Sequence, residues 1–292
     1  MLWKKNSNCL LVSGLVIAAT NLSPSYAQGD QPTATGRIAA TSEHTSSIKL
    51  EECKGKLFIV GGAADKVLKR FVEACGGKNA FILVIPHSSA SPKESGKDMS
   101  KLFSKAGAKV AVLATTSSED LPKCTGVYMT GGDQNRLLKL LKPHQIEQLK
   151  QLFRDGCVIG GSSAGAAAVP IQMIGGGMED RKPKKGSLMI AKGLGLLPGF
   201  MVDTHVNPRG RQDRLMVGMA MVDGIGGIGL DEDTAVEISN YDATVHGVGV
   251  VHVYKRAADF SSELAARKEG EMASIKNVIY SIYPAGEKFS LK

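Results

Sequence analysis

The sequence predicts an α/β fold with three layers, in which a mostly parallel sheet carries helices on both faces. The first observation is a series of short apolar runs, rich in β-branched residues, as expected of strands that are covered on both sides. The second is that segments with helical periodicity separate these runs, which is the order of a β-α-β protein. The predicted strands of this series are residues 57–60, 80–85, 109–114, 127–130 and 157–159.

Two of the intervening helices are evident from the spacing of their apolar residues. Such residues recur at helical intervals in residues 99–106 and again in residues 146–153. Pro143 can begin the second helix and Gly156 can end it. Three later runs predict further strands, some of them antiparallel, at one side of the sheet: residues 227–230, 234–238 and 248–254.

The chain begins with a segment typical of a secretory signal peptide, which we place at residues 1–27. Lys4 and Lys5 precede an apolar stretch at residues 9–20, and the small residues Ser25 and Ala27 provide a cleavage site. A permanent membrane anchor is the alternative, but about 12 apolar residues are fewer than the roughly 20 that span a bilayer. We therefore expect a secreted or periplasmic protein that has no membrane attachment after cleavage.

A flexible leader and one large domain are predicted to follow the signal peptide. Residues 28–50 are rich in Thr, Ser, Ala and Gly and poor in large apolar residues, so they bury too little surface to offset the entropy cost of ordering. The catalytic domain is placed at residues 51–292. Its length of about 240 residues suits a single α/β domain.

The charge of the chain argues against nucleic acid as a partner. The net charge is +8, and removal of Lys4 and Lys5 leaves 34 basic against 28 acidic residues, or +6. The basic residues do not form a long run with interleaved aromatic residues, as nucleic-acid-binding segments often do. One basic cluster is interpreted as a solvated loop: Arg181, Lys182, Lys184 and Lys185.

The motifs give no indication of a cofactor or a metal. Glycine pairs follow three of the predicted strands, but the Gly-x-Gly-x-x-Gly fingerprint of dinucleotide sites is absent at the first strand. Zinc patterns such as His-Glu-x-x-His and paired Cys-x-x-Cys are also missing. After loss of the signal, four cysteines could form two disulfides in any of three pairings or remain free buried thiols: Cys53, Cys75, Cys124 and Cys157.

The strongest functional signal is a Gly-x-Ser-x-Gly motif at residues 161–165, between a predicted buried strand and an Ala-rich helix start. This context is typical of a nucleophile elbow, in which small neighbours allow a sharp turn that exposes the serine hydroxyl. The amino end of the following helix favours developing negative charge. Ser163 is therefore the candidate nucleophile. The alternative is a Gly/Ser-rich turn that only packs a helix against a strand.

A serine hydroxyl needs a base to take its proton, and His205 is the preferred candidate among six histidines. It follows an apolar run at residues 199–202 and lies in a segment dense in polar groups. His87 also follows a predicted strand. The remaining histidines occupy positions where leader, surface or core roles are more common: His44, His144, His246 and His252.

Charged residues near this histidine suggest a site for an acidic ligand. Arg209, Arg211 and Arg214 follow closely, and arginine is suited to binding carboxylates through two parallel hydrogen bonds. A solvated helix face is the alternative. Glu232, in the acidic segment 231–233 directly after another predicted strand, is the candidate third member of a triad, with a plain acidic turn as its alternative.

Five blocks of the chain, taken in order, resemble the family of serine peptidases that includes cyanophycinase and the aspartyl dipeptidases. The resemblance implies Ser163 as nucleophile, His205 as base and Glu232 as the residue that orients the imidazole, on a class I glutamine-amidotransferase-like fold. An α/β-hydrolase would place the acid before the histidine, so the order Ser, His, Glu separates the two folds. The blocks cover nearly the whole domain: residues 59–65, 130–134, 161–166, 203–214 and 229–235.

The same resemblance implies a substrate and a set of binding groups. The arginine triplet looks like that of cyanophycinases, and the signal peptide fits their extracellular type. Such an enzyme would release β-aspartyl-arginine dipeptides from cyanophycin, a polyaspartate backbone with arginine on each side-chain carboxylate. It would act as a homodimer. Gly132 and Ala164 would supply oxyanion N–H groups, and six residues would line the substrate pocket: Asp133, Gln134, Asp203, Arg209, Arg211 and Arg214.

Three other functions stay open from the sequence. One is an aspartyl dipeptidase of the same family. Another is an exported esterase of α/β-hydrolase type, in which Glu179, Asp180 or Asp203 would be the acid. The last is a non-catalytic protein that uses its arginines to bind acidic peptides.

Overall fold

The computed structural model describes residues 48–292. The predicted signal peptide and most of the predicted leader therefore lie outside the described residues. The fourteen strands of the described part are β1 Lys56–Val60, β2 Phe81–Ile85, β3 Lys109–Val112, β4 Gly126–Met129, β5 Val158–Ser162, β6 Gln172–Gly177, β7 Leu188–Lys192, β8 Phe200–Thr204, β9 Gly226–Leu230, β10 Thr234–Ser239, β11 Asp242–Gly247, β12 Val250–Ser262, β13 Ile275–Pro284 and β14 Lys288–Ser290.

Seven α-helices lie between these strands, and proline or glycine marks the ends of two of them. Pro92 and Pro143 stand in the first turns of the second and fourth helices, where their missing N–H costs nothing. Gly156 follows the fourth helix with a φ of 117°, as the pattern of Pro143 and Gly156 predicts. The helices are α1 Leu68–Ala74, α2 Pro92–Lys105, α3 Gln134–Leu140, α4 Pro143–Asp155, α5 Ala164–Ala167, α6 Val206–Arg209 and α7 Gln212–Met221.

The central sheet has eight strands in the order β14-β11-β10-β1-β5-β4-β2-β3. The five neighbouring strands β1, β5, β4, β2 and β3 run parallel to one another. Next to β1, the strands β10, β11 and β14 extend the sheet through antiparallel pairs. The predicted fold class is thus confirmed. The five predicted parallel strands all form, with ends that differ from the predicted ones by up to three residues.

Alternating side chains of the parallel strands fill two separate cores. In β1, Phe58 and Val60 face the side covered by α1 and α2, where they pack with Phe71 and Phe103. Leu57 and Ile59 of the same strand face the other side, where α4 and a second sheet cover them. Both faces of the sheet are therefore buried, which explains why its strands are apolar without alternation.

A second sheet of four strands, in the order β13-β12-β9-β8, corrects one expectation from the sequence. The runs at 227–230 and 248–254 were expected at the side of the central sheet, but they form β9 and β12 of this second sheet. One face of the second sheet packs on the central sheet, and α7 covers the other through Leu215 and Met219. Period and composition identify a strand, whereas its partner strand depends on contacts distant in sequence.

The packed domain begins earlier than residue 51. Ile48 and Leu50 are 2% and 1% exposed and belong to the core on the α4 side of the central sheet. Residues 48–50, which were predicted as part of the leader, therefore belong to the packed domain, and residues 28–47 lie outside the described residues. Within residues 48–292, no helix is both long and apolar enough to cross a membrane.

The topology brings several strand ends to one edge of the molecule. β1 and β5 are parallel neighbours with Val60 opposite Ser162, so the residues that follow them lie side by side. β8 and β9 are also parallel neighbours, and they end at Thr204 and Leu230. The backbone N–H of His205 donates to the carbonyl of Gly61 at 2.8 Å, which joins the two sheets at this edge.

Candidate active site

Ser163 stands in a strained turn between β5 and α5. Its φ of 51° and ψ of −114° are rare for a residue with a side chain, and its N–H donates to the carbonyl of Val60 at 3.1 Å. Close packing explains the small residue at Gly165, since a Cβ there would lie 2.3 Å from the carbonyl oxygen of Met129. The turn has the form of the nucleophile elbow that the Gly-x-Ser-x-Gly motif predicts.

Ser163, His205 and Glu232 form one continuous chain of hydrogen bonds. The Nε2 atom of His205 lies 2.8 Å from Oγ of Ser163, and Nδ1 lies 2.7 Å from Oε1 of Glu232. With the imidazole protonated on Nδ1, this nitrogen donates to the carboxylate while Nε2 accepts from the serine hydroxyl. This arrangement can take a proton from a serine and hold the resulting imidazolium beside a carboxylate.

Gly62 provides the space in which this chain of hydrogen bonds forms. A Cβ at this position would lie 2.5 Å from Cε1 of His205 and 2.9 Å from Cγ of Glu232. Packing therefore accounts for the glycine pair after β1, because Gly62 leaves room for the imidazole and the carboxylate, and a Cβ at Gly61 would lie 2.0 Å from the carbonyl oxygen of Asp231. A dinucleotide is not needed to explain it.

The surroundings of His205 favour its neutral form. Burial lowers the pKa of its imidazole, and the positive charges of Arg209 and Arg211 lower it further. The hydrogen bond from the ring to Glu232 acts in the opposite direction and raises the pKa. Since the net pKa shift is downward, the ring is neutral and able to accept a proton at neutral pH.

Asp231, next to Glu232, anchors the segment that carries the histidine. Its carboxylate accepts from the backbone N–H of Asn207 at 3.0 Å and from the Asn207 side-chain amide at 2.6 Å. Nε2 of His252 lies 3.4 Å from the same carboxylate. The acidic segment 231–233 thus contributes a structural anchor as well as the carboxylate at His205, and the sequence pattern did not distinguish these two roles.

Gly132 and Ala164, the expected oxyanion donors, both lie at the cavity beside Ser163. Gly132 has a φ of 138°, and a Cβ there would lie 2.1 Å from the carbonyl oxygen of Ser88. The hydroxyl of Ser88 donates to the carbonyl of Thr130 at 2.5 Å and lies 3.0 Å from that of Gly131. The loop between β4 and α3 is therefore held in place next to the serine.

The cavity in front of Ser163 has a volume of about 340 Å³ and is lined by groups of both charges. Its charged residues come from two places: the end of β8 with the segment that follows it, and the segment after β6. They are Arg181, Arg209, Arg211 and Arg214 on the basic side, and Glu179, Asp203 and Asp213 on the acidic side.

A buried ion pair forms the base of the charged region. Nη1 of Arg214 lies 3.1 and 3.2 Å from the two carboxylate oxygens of Asp203, and the side chains are 8% and 4% exposed. Arg211 adds a longer contact of 3.7 Å to Asp203 and donates to the carbonyl of Thr204 at 3.1 Å. Burial lowers the pKa of Arg211 to about 10, and burial also raises the pKa of Asp203 against the opposing charges of Arg214 and Arg211.

One residue expected in the substrate pocket is found elsewhere. Asp133 caps α3, because its carboxylate accepts from the backbone N–H groups of Asn135 at 2.8 Å and Arg136 at 3.4 Å, and it does not line the cavity. Gln134 does line the cavity and donates to the carbonyl of Ile174 at 2.6 Å. The remaining residues expected in the pocket line it as well: Asp203, Arg209, Arg211 and Arg214.

Three charged residues of the cavity are not predicted by the sequence: Glu179 and Arg181, which follow β6, and Asp213, which lies in α7. Arg181 was assigned to a solvated loop, but it lines the cavity, and a Cβ at Gly210 would lie 2.4 Å from its Nη1 atom. Glu179 was considered only as the acid of an esterase triad. The carboxylate at His205 belongs to Glu232, and Asp180 pairs with Lys184, so the esterase alternative lacks its acid.

The other histidines of the described residues have different partners. His246 lies 3.0 Å from Glu237, and His252 contacts Tyr280 at 2.7 Å. His87 is fully buried, and neither ring nitrogen has a hydrogen-bond partner within residues 48–292. Among the five histidines of residues 48–292, only His205 forms a hydrogen bond with the candidate nucleophile.

Comparison with known proteins places the chain in a family. Residues 57–246 match the sequence profile of Peptidase family S51. The chain is 34% identical over 258 residues to a cyanophycinase from Geminocystis herdmanii, and this alignment covers 82% of the chain and 94% of the relative. It is 36% identical over 198 residues to a cyanophycinase from Trichormus variabilis, and this alignment covers 62% of the chain and 66% of that relative.

A solved structure supports the fold. A peptidase from an acI-B1 Actinobacterium superposes with a TM-score of 0.60 at 18% identity, and the alignment covers 82% of this chain and 98% of that one. Because the family match spans residues 57–246 and the Geminocystis relative aligns over most of both chains, the protein belongs to Peptidase family S51 and is a serine-type peptidase.

Proposed function

We propose that the protein is an exported serine-type exopeptidase that hydrolyses cyanophycin and releases β-aspartyl-arginine dipeptides. The observation that carries the proposal is the chain of hydrogen bonds from Glu232 through His205 to Ser163, which opens on a cavity lined by four arginines and three acids. Relatives at 34% and 36% identity are cyanophycinases, which supports the choice of polymer.

The reaction begins with the activation of Ser163. His205 takes the proton of the hydroxyl at Nε2, and Oγ attacks an aspartyl carbonyl of the substrate. Glu232 holds the imidazole in the required tautomer and stabilises the imidazolium that forms. The negative charge on the carbonyl oxygen is stabilised by the backbone N–H groups of Gly132 and Ala164.

The second half of the reaction releases both products. The imidazolium of His205 gives its proton to the leaving amine, and the carbonyl carbon stays bonded to Oγ of Ser163 as an ester. Water then attacks this ester while the imidazole takes a proton from the water. The imidazolium returns this proton to Oγ of Ser163 as the ester bond breaks, so the product leaves with a free carboxylate and the serine hydroxyl is restored.

The charges of the cavity suit an aspartate polymer that carries arginine. Arg209 and Arg181 line the cavity without an ion pair to a carboxylate of residues 48–292, so each can bind a substrate carboxylate. A non-catalytic acidic-peptide binder would use the same arginines. It would have no need of an imidazole 2.8 Å from a strained serine, so this observation favours the peptidase.

Export and assembly are further parts of the proposal. The segment 1–27 would direct the chain out of the cytoplasm and be removed, which N-terminal sequencing of the exported protein tests. The mature protein would form a homodimer, which light scattering of the purified protein tests.

The main experiment offers the purified mature protein cyanophycin and, separately, dipeptides with N-terminal aspartate. We expect release of β-aspartyl-arginine, identified by mass spectrometry, and no release by the Ser163→Ala variant. Cleavage of the dipeptides with no attack on the polymer would assign the protein to the dipeptidases instead.

A further inference from the structure

We infer that Glu179 and Asp213 bind the guanidinium group of the substrate's arginine and so select for arginine on the polymer. This inference rests on the proposed function, because it concerns how the same cavity recognises cyanophycin. It goes beyond the carboxylate-binding arginines, since it assigns the opposite charge of the substrate to two acids.

The third acid of the cavity is fully occupied. Both carboxylate oxygens of Asp203 contact Arg214, and Arg211 lies 3.7 Å away. Within residues 48–292, neither Glu179 nor Asp213 has a hydrogen bond or ion pair to its carboxylate. Two acids and two arginines of the cavity thus remain available for a ligand.

The free acids indicate a ligand that carries positive charge as well as negative charge. A cavity for a purely acidic peptide would gain nothing from two unpaired carboxylates, which would repel it. A β-aspartyl-arginine unit carries carboxylate and guanidinium groups together. A carboxylate receives two parallel N–H bonds from a guanidinium, which makes it the natural partner of an arginine side chain.

The strand that precedes Glu179 is held in place by contacts with α3. Glu179 follows β6 by two residues, and β6 is held against α3 by hydrogen bonds from Gln134 to Ile174 at 2.6 Å and from Asn135 to Gly175 at 2.8 Å. The negative charge of Glu179 acts on Arg211 across the cavity. The acid is therefore placed within electrostatic range of the carboxylate-binding side of the cavity.

The test compares two synthetic substrates that differ only in charge. One is an oligomer of β-aspartyl-arginine, and the other contains citrulline, which has the shape of arginine but no positive charge. We expect the wild type to prefer the arginine oligomer. Glu179→Gln and Asp213→Asn should each raise KM for this oligomer about 10- to 100-fold and leave KM for the citrulline oligomer nearly unchanged.

Asp180→Asn is the matched control, because Asp180 is the neighbouring acid but pairs with Lys184 and lies outside the cavity. It should keep the wild-type preference. If the wild type cleaves the oligomers but both cavity variants keep its ratio of arginine to citrulline turnover, the inference is wrong and the proposed function stands. If the wild type cleaves neither oligomer nor cyanophycin, both fail.

Two thiols lie close together at the amino ends of β4 and β5, whereas the cavity lies at the carboxyl ends of the strands. Sγ of Cys124 lies 3.9 Å from Sγ of Cys157, and the two residues precede the parallel neighbours β4 and β5. All four cysteines of the described residues are free thiols. We propose that Cys124 and Cys157 form a single disulfide in an oxidising compartment while Cys53 and Cys75 remain thiols.

The bond would form by exchange with a small-molecule disulfide. Cys124 is half-buried and Cys157 is buried, so the thiolate of Cys124 attacks the small disulfide first and releases one thiol. The thiolate of Cys157 then attacks the sulfur of Cys124 and releases the second thiol. The protein loses two electrons and two protons, and the small disulfide is reduced to two thiols.

The test treats the purified protein with oxidised glutathione, alkylates the remaining thiols and maps the peptides. We expect a cross-linked peptide that joins Cys124 to Cys157, with Cys53 and Cys75 still alkylated. Cys53→Ser should form the same cross-link, and Cys157→Ser should not. Full alkylation of Cys124 and Cys157 after oxidation, or a cross-link to a different cysteine, would overturn the proposal.

Discussion

Nδ1 of His205 lies 2.7 Å from Oε1 of Glu232, although the two residues follow different strands of the second sheet. The glutamate side chain is 44% exposed, whereas that of the histidine is 10% exposed. A carboxylate near the surface therefore fixes the orientation of a buried imidazole ring. It also sets which ring nitrogen faces Ser163.

Replacement of this carboxylate tests its role. We expect Glu232→Gln to lower kcat on cyanophycin by about 10²- to 10⁴-fold, because an amide no longer selects the tautomer that accepts the serine proton. The matched control is Asp233→Asn, which changes the next acid of the same turn, where the carboxylate accepts from the N–H of Lys66. Steady-state kinetics with equal loss in both variants would contradict the assignment.

The charges around His205 predict the pH dependence of turnover. Because burial and Arg209 lower the pKa of His205 below 6.5, the neutral base is present at neutral pH and is lost as the pH falls through this lowered pKa. Arg209→Gln removes one positive charge, so the acid limb of the kcat/KM profile should move to higher pH. Lys182→Gln, at an exposed lysine outside the cavity, should leave the limb in place.

The ion pair of Asp203 and Arg214 predicts a stability effect. Asp203→Asn leaves the buried guanidinium without its counter-charge and should lower the free energy of unfolding by about 3 kcal/mol. Urea denaturation measures this change. Asp180→Asn, which breaks an exposed pair with Lys184, should leave the free energy of unfolding nearly unchanged. Similar costs for both variants would argue against a buried pair at the base of the cavity.

His87 predicts a loss of stability in acid. Burial lowers the pKa of its ring to about 4, and Lys142 contributes in the same direction. The unfolded chain binds the proton near pH 6.5, so this contribution to stability is complete above 6.5 and is lost as the pH falls toward 4.

The size of this contribution is about 3 kcal/mol at most. Urea denaturation between pH 7 and pH 4 should show a flatter dependence for His87→Leu than for the wild type. His144→Leu, at an exposed histidine of α4, should keep the wild-type dependence. A His87→Leu curve parallel to that of the wild type would contradict the account.

The turn at Ser163 and the strand ends near the candidate site can be predicted from the sequence, because the patterns that indicate them are local. The turn at Ser163 needs small residues on both sides, and these stand in the sequence as a Gly-x-Ser-x-Gly motif. Strand ends at 60, 162, 204 and 230 gather at one edge through parallel pairing, so polar residues just after them were good candidates.

The remaining features depend on contacts distant in sequence. Glu179 and Arg181 reach the cavity only because Gln134 and Asn135 hold β6 in place, and no local pattern reports such contacts. Asp133 is a different case, since an Asp directly before a helical segment is a common N-cap and could have been recognised as one.

The start of the domain shows the limit of composition as a guide. Ile48 and Leu50 are buried, but two apolar residues in a segment rich in Ser, Thr and Glu do not change its average character. Average composition therefore predicts a flexible leader even for a segment in which single side chains are buried in the core.

The most direct test of the central claim compares two adjacent serines. Ser163→Ala and Ser162→Ala are each assayed for release of β-aspartyl-arginine from cyanophycin, with circular dichroism to check the fold. We predict that Ser163→Ala lowers turnover by about 10⁴-fold or more and that Ser162→Ala keeps wild-type turnover. Undiminished release by a correctly folded Ser163→Ala variant would contradict the account.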